Sequence, residues 1–402
     1  MLNAQNMREL AYLVRVNDIK PIEGKDRVEC AIVNGWTCMV PKDIFTPNSI
    51  GIYFEIDSLV PPVEPFKFLE KRKYRIKTQK FKNFYSQGLL MSPVDFGWIE
   101  LENGVKDERG NLHLIDDETR FLTKKLNITY YDPEDKSRKD NGIDKYKRMA
   151  ARHHELFKKP YIKWLMRRNW GKKLLFIFFG KPKKKKSRLP RWVKKTDEER
   201  VESMPWILED KRQWIATEKI DGTSTTFTIR RHKFLKNKFN FYVCDRNVIF
   251  DSSNKPCYYD TNVYWEMAEK YNIEKALTDL MKSHREWKWI TLQGETYGAG
   301  IQVRDYGFTE HRFMGFNFIT SKEGRWNSVR AAKLMHDYDI PWVPILDENY
   351  ILPDSIEELR AFSHSEGSRV DGVIKEGIVF RSQDGSMSFK CVDPEFLVKY
   401  HN

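Results

Sequence analysis

The chain has 402 residues, 40% of them hydrophobic and 14% aromatic, enough for two or three cored domains and too apolar for a disordered protein. Its 70 Lys and Arg against 57 Asp and Glu are unevenly spread: Lys145 to Lys195 holds 20 bases and one acid, Glu155, leaving 50 and 56 elsewhere. The polar start after Met1, the short longest apolar run (Leu174 to Phe179) and five cysteines without paired or metal-type spacing point to a reduced cytoplasmic protein. They exclude a secretory leader and a membrane helix.

Three blocks follow in chain order. Residues 1–122 read as short strands: Ala11 to Asn17 alternates, Val28 to Val33 and Trp36 to Val40 flank the hairpin signal Asn34-Gly35, and Ile50 to Ile56 runs toward the breaker Pro61-Pro62. Short strands with tight turns over this length suit a small OB-type barrel. Residues 123–190 are polar and then intensely basic, with a helical pattern over Tyr146 to Trp170 and a loop-like run at Pro182 to Lys186. Such a block is a footprint for a phosphate backbone, with Lys183, Lys184, Lys185, Lys186 and Arg188 as candidate nucleic-acid contacts; a solvated linker is the other reading. Trp164, Trp170, Phe176 and Trp192 interleave with the charges, which suits base stacking and equally suits core packing. Residues 191–402 mix strands with helical stretches at Asn262 to Lys282 and Ser328 to Tyr338, an α+β pattern without internal repeats.

The chemistry-bearing residues lie in that third block. Glu218-Lys219-Ile220-Asp221-Gly222 offers a lysine nucleophile beside an acid, which alone describes a solvated turn. Further along, isolated charges interrupt apolar strand-like runs: Glu295 in Thr291 to Tyr297, Glu376 in Ile374 to Phe380, and Lys390 in Ser388 to Val392. In this order the four segments resemble motifs I, III, IV and V of the covalent nucleotidyltransferases, the superfamily of ATP-dependent ligases and RNA-capping enzymes. Arg27 to Val40, Ser49 to Pro61, Ser86 to Leu90 and Thr196 to Arg200 narrow the resemblance to the ATP-dependent RNA ligase family of the Deinococcus type, over about 9–122 and 191–402. DNA ligases and capping enzymes place an OB domain after motif V. Here twelve residues follow Lys390, so the OB domain is expected ahead of the catalytic one.

The resemblance implies an OB domain (1–122), a basic insert (123–190) and an ATP-grasp-like ligase domain (191–402). It implies Lys219 as the nucleophile that attacks ATP to give lysyl-AMP, Lys390 as its catalytic partner, and Glu218 offering backbone groups to adenine. Asp221, Glu295 and Glu376 are implied as carboxylates around a hydrated Mg²⁺ or Mn²⁺. Ser224 stands where some relatives have Asn, Arg246 in Cys244 to Asn247 is expected at the ribose or substrate, and Phe316 in Phe313 to Asn317 stacked on adenine. A nearby metal and Lys390 are expected to lower the Lys219 pKa. Motif V often carries a second lysine; here Lys390-Cys391-Val392 has one, so either the second contact is dispensable in this family or Lys375 or the basic insert supplies it, and Lys399 is too far along. The implied activity is RNA ligation of 3′-OH and 5′-phosphate ends, at nicked or splinted duplexes with RNA on the 3′-OH side in RNA repair, without an evident protein partner. The alternatives are a DNA ligase or capping-type enzyme and a non-catalytic RNA-binding protein on a ligase scaffold.

Overall fold

The strands Ala11–Arg15 and Ile50–Phe54 pair antiparallel and are buried on both faces, which explains their unbroken apolar runs. A computed structural model of the chain describes residues 1, 3, 8–82, 84–131, 189–195, 198–232, 238–250, 261–365 and 367–401, with isolated positions between 159 and 175 and at 257 and 259. One face of this pair packs Tyr12, Val14 and Tyr53 against Val33 and Trp36 of the hairpin Val28–Val33/Trp36–Pro41. The opposite face packs Leu13, Ile52 and Phe54 against Phe66, Leu122 and Ile128. Packing therefore continues past Leu122 to Tyr130, where Thr129–Tyr130 pairs with Ser58–Leu59.

The hairpin turn forms where Asn34-Gly35 indicates, with Val33 opposite Trp36 and Asn34 in the left-handed region at φ 52°. Gly35 has a second reason to be glycine. Its N–H donates to the Glu202 carbonyl at 2.9 Å, and a Cβ there would lie 2.7 Å from Glu202 Cα and 2.2 Å from Ile356 Cδ1. Arg360 closes the contact, donating to the Gly35 carbonyl (3.1 Å), Gln87 Oε1 (2.7 Å) and Glu202 Oε1 (2.9 Å). Ile56 of the first domain also packs on Val392 and Leu397. The hairpin is thus the docking edge between the two domains.

The carboxy-terminal part contains two antiparallel-rich sheets. Five strands run in the order Glu199–Arg200, Ser388–Val392, Gly377–Ser382, Gln213–Lys219, Ile345–Ile351. Six more run in the order Ile249–Phe250, Phe239–Cys244, Thr223–Arg231, Trp289–Gly298, His311–Thr320, Gly324–Arg325. Helices Val263–Lys270, Ile273–Ser283 and Ser328–His336 cover the second sheet through a core that includes Phe227, Leu277 and Met335, while helix Ile356–His364 covers the first. The expected helix over Asn262 to Lys282 is two helices, because Asn272 adopts φ 49° between them. Side chains of Asn262, Asn327, Ser355 and Asp393 cap helix starts by accepting from backbone N–H groups of the first turn.

Trp192 takes the packing role: half-buried, it donates to the Thr228 hydroxyl at 3.0 Å and meets Tyr242 edge-on at 5.9 Å. Trp164 and Trp170 are exposed and meet at 6.2 Å, with the Arg168 guanidinium 4.0 Å from the Trp164 ring centroid. Phe176, Lys183 to Lys186 and Arg188 lie outside the described residues, as does most of the stretch Tyr146 to Trp170 read as helical. Among the described residues, no helix is long and apolar enough to cross a membrane.

Candidate active site

The turn Ile220–Gly222 joins the two carboxy-terminal sheets, so Lys219 ends a strand of one and Thr223 begins a strand of the other. Gly222 is required by close approach: a Cβ there would lie 2.3 Å from the Thr296 carbonyl oxygen and 2.9 Å from Glu295 Cγ. That approach brings the strand carrying Glu295 against the lysine turn. Glu376 arrives from the other sheet, where the next residue, Gly377, pairs with Lys219. Lys219 Nζ donates to Glu376 Oε2 at 2.6 Å. Lys390 enters on Ser388–Val392, in register with Val379 on one side and Arg200 on the other.

These residues line one cavity of about 270 Å³, together with Ser224, Arg246 and Phe316. Phe316 reaches it through a bulge: Gln293 faces Asn317 and Gly294 faces Gly315, so Phe316 is the extra residue. It packs with Ile220, Trp342 and Val343, and the Arg381 guanidinium sits 5.6 Å from its ring centroid. Arg246 is exposed on a turn held by Asp245, which accepts from the N–H groups of Asn247 and Val248 at 2.6 Å each. Its guanidinium lies 5.9 Å from the ring of Tyr130, across the domain boundary.

The geometry bears on three of the expected roles. The Glu218 N–H already donates to the Pro344 carbonyl at 2.9 Å, so it is not available to a nucleobase. The Glu218 carboxylate is held by the Ser368 hydroxyl and, at 2.8 Å, by the Arg369 N–H. Burial opposes the charge on Lys219, but Glu376, Glu295 and Asp221 outweigh burial and push its pKa up. Lys390 moves the other way, down to about 7, through burial and the neighbouring cations Arg200, Lys219 and Arg8. Finally, Lys375 is 2% exposed and is not among the cavity's lining residues; the cation beside Lys390 is Arg200, whose buried Nη1 has no hydrogen-bond partner among the described residues.

Among the described residues, no three His, Cys, Asp or Glu side chains converge closely enough to chelate an ion. Asp221 Oδ2 is nevertheless buried and without a hydrogen-bond partner among the described residues, and Asp221 lines the same cavity as Glu295 and Glu376. That donor set fits a divalent cation reached through its water shell, with hard oxygens and no direct cage.

Sequence reasoning did not nominate several wall residues. Arg8, Asp57 and Arg75 come from the first domain, and Arg75 donates to Asp57 at 2.6 Å, its buried Nε without a partner among the described residues. Nothing local in the sequence marks them. Arg381 and Arg200 did leave signals: one charge in the apolar strand Gly377–Ser382, and the last residue of the Thr196 to Arg200 landmark. His401 also lines the cavity, its Nε2 3.7 Å from Asp221 Oδ1; burial opposes its protonation, but Asp221 raises its pKa.

Residues 212–401 match the family model described as RNA ligase, and residues 10–94 match an OB-fold domain. No curated protein matches the chain. Among solved structures, the chain is similar to a mutant Naegleria gruberi RNA ligase with ATP and Mn, at 24% identity and a TM-score of 0.71 over 98% of this chain and 100% of that one. The same protein with PPi, and a mutant of it with AMP and Mn, each match at 24% identity and TM-score 0.71 over 98% of this chain and 99% of theirs. The shared fold is thus an amino-terminal OB domain followed by an α+β domain built on two antiparallel-rich sheets.

Proposed function

We propose, on the premise that residues 212–401 form an RNA ligase family domain behind an OB-fold domain, that this protein is an ATP-dependent RNA ligase. It joins a 3′-OH to a 5′-phosphate through a lysyl-AMP and an adenylylated 5′ end. The observation that carries the reading is the Lys219–Glu376 contact at 2.6 Å, in a cavity that also holds Asp221, Glu295 and Lys390.

In the first step the neutral Lys219 amine attacks the α-phosphorus of ATP. A P–N bond forms as the P–O bond to pyrophosphate breaks, and Glu376 is within reach of the proton that Lys219 must lose. A bound Mg²⁺ or Mn²⁺ supplies positive charge at the α-phosphate and against the carboxylates that raise the Lys219 pKa. Phe316 stacks on adenine, with Glu218, Ser224 and Arg246 around the nucleoside, while Lys390 and Arg200 face the phosphates. In the second step an oxygen of the RNA 5′-phosphate displaces Lys219 from AMP. In the third the 3′-OH attacks that phosphate and AMP leaves. Lys183 to Lys186 and Arg188 track the RNA backbone, and the substrate is a nicked or splinted duplex with RNA on the 3′-OH side, a repair function.

Incubation with α-labelled ATP or GTP and Mg²⁺ or Mn²⁺, followed by denaturing electrophoresis, tests the chemistry. The expected result is AMP labelling from ATP that Lys219→Ala abolishes. Label that persists in Lys219→Ala, or that arises from GTP alone, overturns the assignment.

A further inference from the structure

We propose that Tyr306 is a positioning residue for the nucleophile: its phenolic oxygen holds the backbone N–H of Asp221 and so fixes the turn that carries Lys219 and the Asp221 carboxylate. The inference deepens the ligase reading and rests on it for its kinetic consequences only.

The contact is direct. The Asp221 N–H donates to Tyr306 Oη at 2.9 Å, and both residues are buried. A buried backbone N–H needs an acceptor, and here the acceptor comes from a different element, 85 residues along the chain. Tyr306 is itself held. Arg304 Nη1 donates to the same phenolic oxygen at 3.0 Å, using its second acceptor site. Arg304 is 1% exposed, and its Nη2 donates to both carboxylate oxygens of Asp371, at 2.8 and 2.9 Å. The Tyr306 ring is locked as well, edge-on to Tyr297 at 5.1 Å and under the Arg304 guanidinium at 4.0 Å. The phenol therefore cannot turn away without breaking a buried ion pair's hydrogen bond.

Asp371 lies three residues after Ser368, in the stretch that also holds the Glu218 carboxylate through the Ser368 hydroxyl and the Arg369 N–H. One stretch of chain thus reaches both sides of Lys219: Glu218 directly, and Asp221 through Arg304 and Tyr306. The nucleophile is placed from behind, by groups that do not touch ATP. Neither Arg304, Tyr306 nor Asp371 lines the cavity. A misplacement of about 1 Å in a reacting group costs on the order of 10²-fold in rate, so a turn held at both ends bears on kcat and not on nucleotide affinity.

Tyr306→Phe removes the acceptor and keeps the ring. Single-turnover adenylylation at saturating ATP should fall roughly ten- to hundredfold, with the KM for ATP unchanged, because an unsatisfied buried N–H lets the turn shift. Asp371→Asn, which weakens the grip on Arg304, should lower kcat in the same direction by less. A merely structural tyrosine would lower the thermal midpoint and leave kcat intact well below it, and that result overturns the inference, as does a loss confined to KM. Hydrogen exchange of the Asp221 amide, read by mass spectrometry without ATP, separates the two levels of the argument. Faster exchange in Tyr306→Phe is expected, and unchanged exchange sinks the inference whatever the activity. If the wild type fails to adenylylate while the exchange still rises in Tyr306→Phe, the grip stands and the ligase reading falls.

Discussion

Lys390 should take up a proton when a nucleotide binds. Burial and the cations Arg200, Lys219 and Arg8 push it down from its ordinary 10.5 to about 7, so in the free protein it is largely neutral above that pH. The negative phosphates of ATP oppose the same three cations and return Lys390 toward its ordinary value. At pH 8.5 the free protein holds a proton on about 3% of its Lys390 side chains and the complex on nearly all, an uptake of about one proton; near pH 6 the uptake is close to zero. The sign follows directly: the bound state has the higher pKa and binds more protons, so affinity falls as pH rises between about 7 and 10.5, by up to about tenfold per pH unit. Isothermal titration calorimetry with α,β-methylene ATP, repeated in buffers of different ionisation enthalpy, reads the uptake. EDTA in the buffer keeps Lys219, whose pKa is raised, protonated throughout. Lys390→Arg keeps the cation without a titration in this range and should abolish the uptake. Wild-type uptake below about 0.2 proton at pH 8.5, or equal uptake in Lys390→Arg, would refute the reasoning.

Arg360→Met should loosen the OB domain from the catalytic domain. It strands Glu202, which is fully buried and loses its 2.9 Å partner, at a cost of about 3–5 kcal/mol. Urea denaturation should show that loss, and sealing of a preadenylylated RNA should fall further than adenylylation of Lys219; a loss of adenylylation with intact sealing would contradict the docking role. Deleting 181–188 should leave Lys219 adenylylation unchanged and flatten the dependence of log K for RNA on log salt, by roughly 0.7–0.9 per lost phosphate contact. An unchanged slope in a filter-binding titration would make the segment a solvated linker.

The sequence by itself picked out residues that share one cavity. Lys219, Asp221, Glu295, Glu376 and Lys390 stand out as charges in or beside apolar strand runs whose order resembles a known set of motifs, and all of them line one cavity. The hairpin at Asn34-Gly35 was equally legible, since turn chemistry is local. The fold class followed from the same short-range patterns. What the tertiary structure decided is what depends on residues distant in the chain. Glu376 meets Lys219 across 157 residues, and its field, with those of Glu295 and Asp221, raises the Lys219 pKa. Gly35, read as a turn former, turned out to be the contact with Glu202. Phe316 reaches the cavity only because a bulge turns it there, and Arg8 and Arg75 are wall residues only because a second domain docks. Residue type and spacing fix which groups a chain has; protonation, aim and neighbourhood come from fields and contacts summed over elements that only folding brings together.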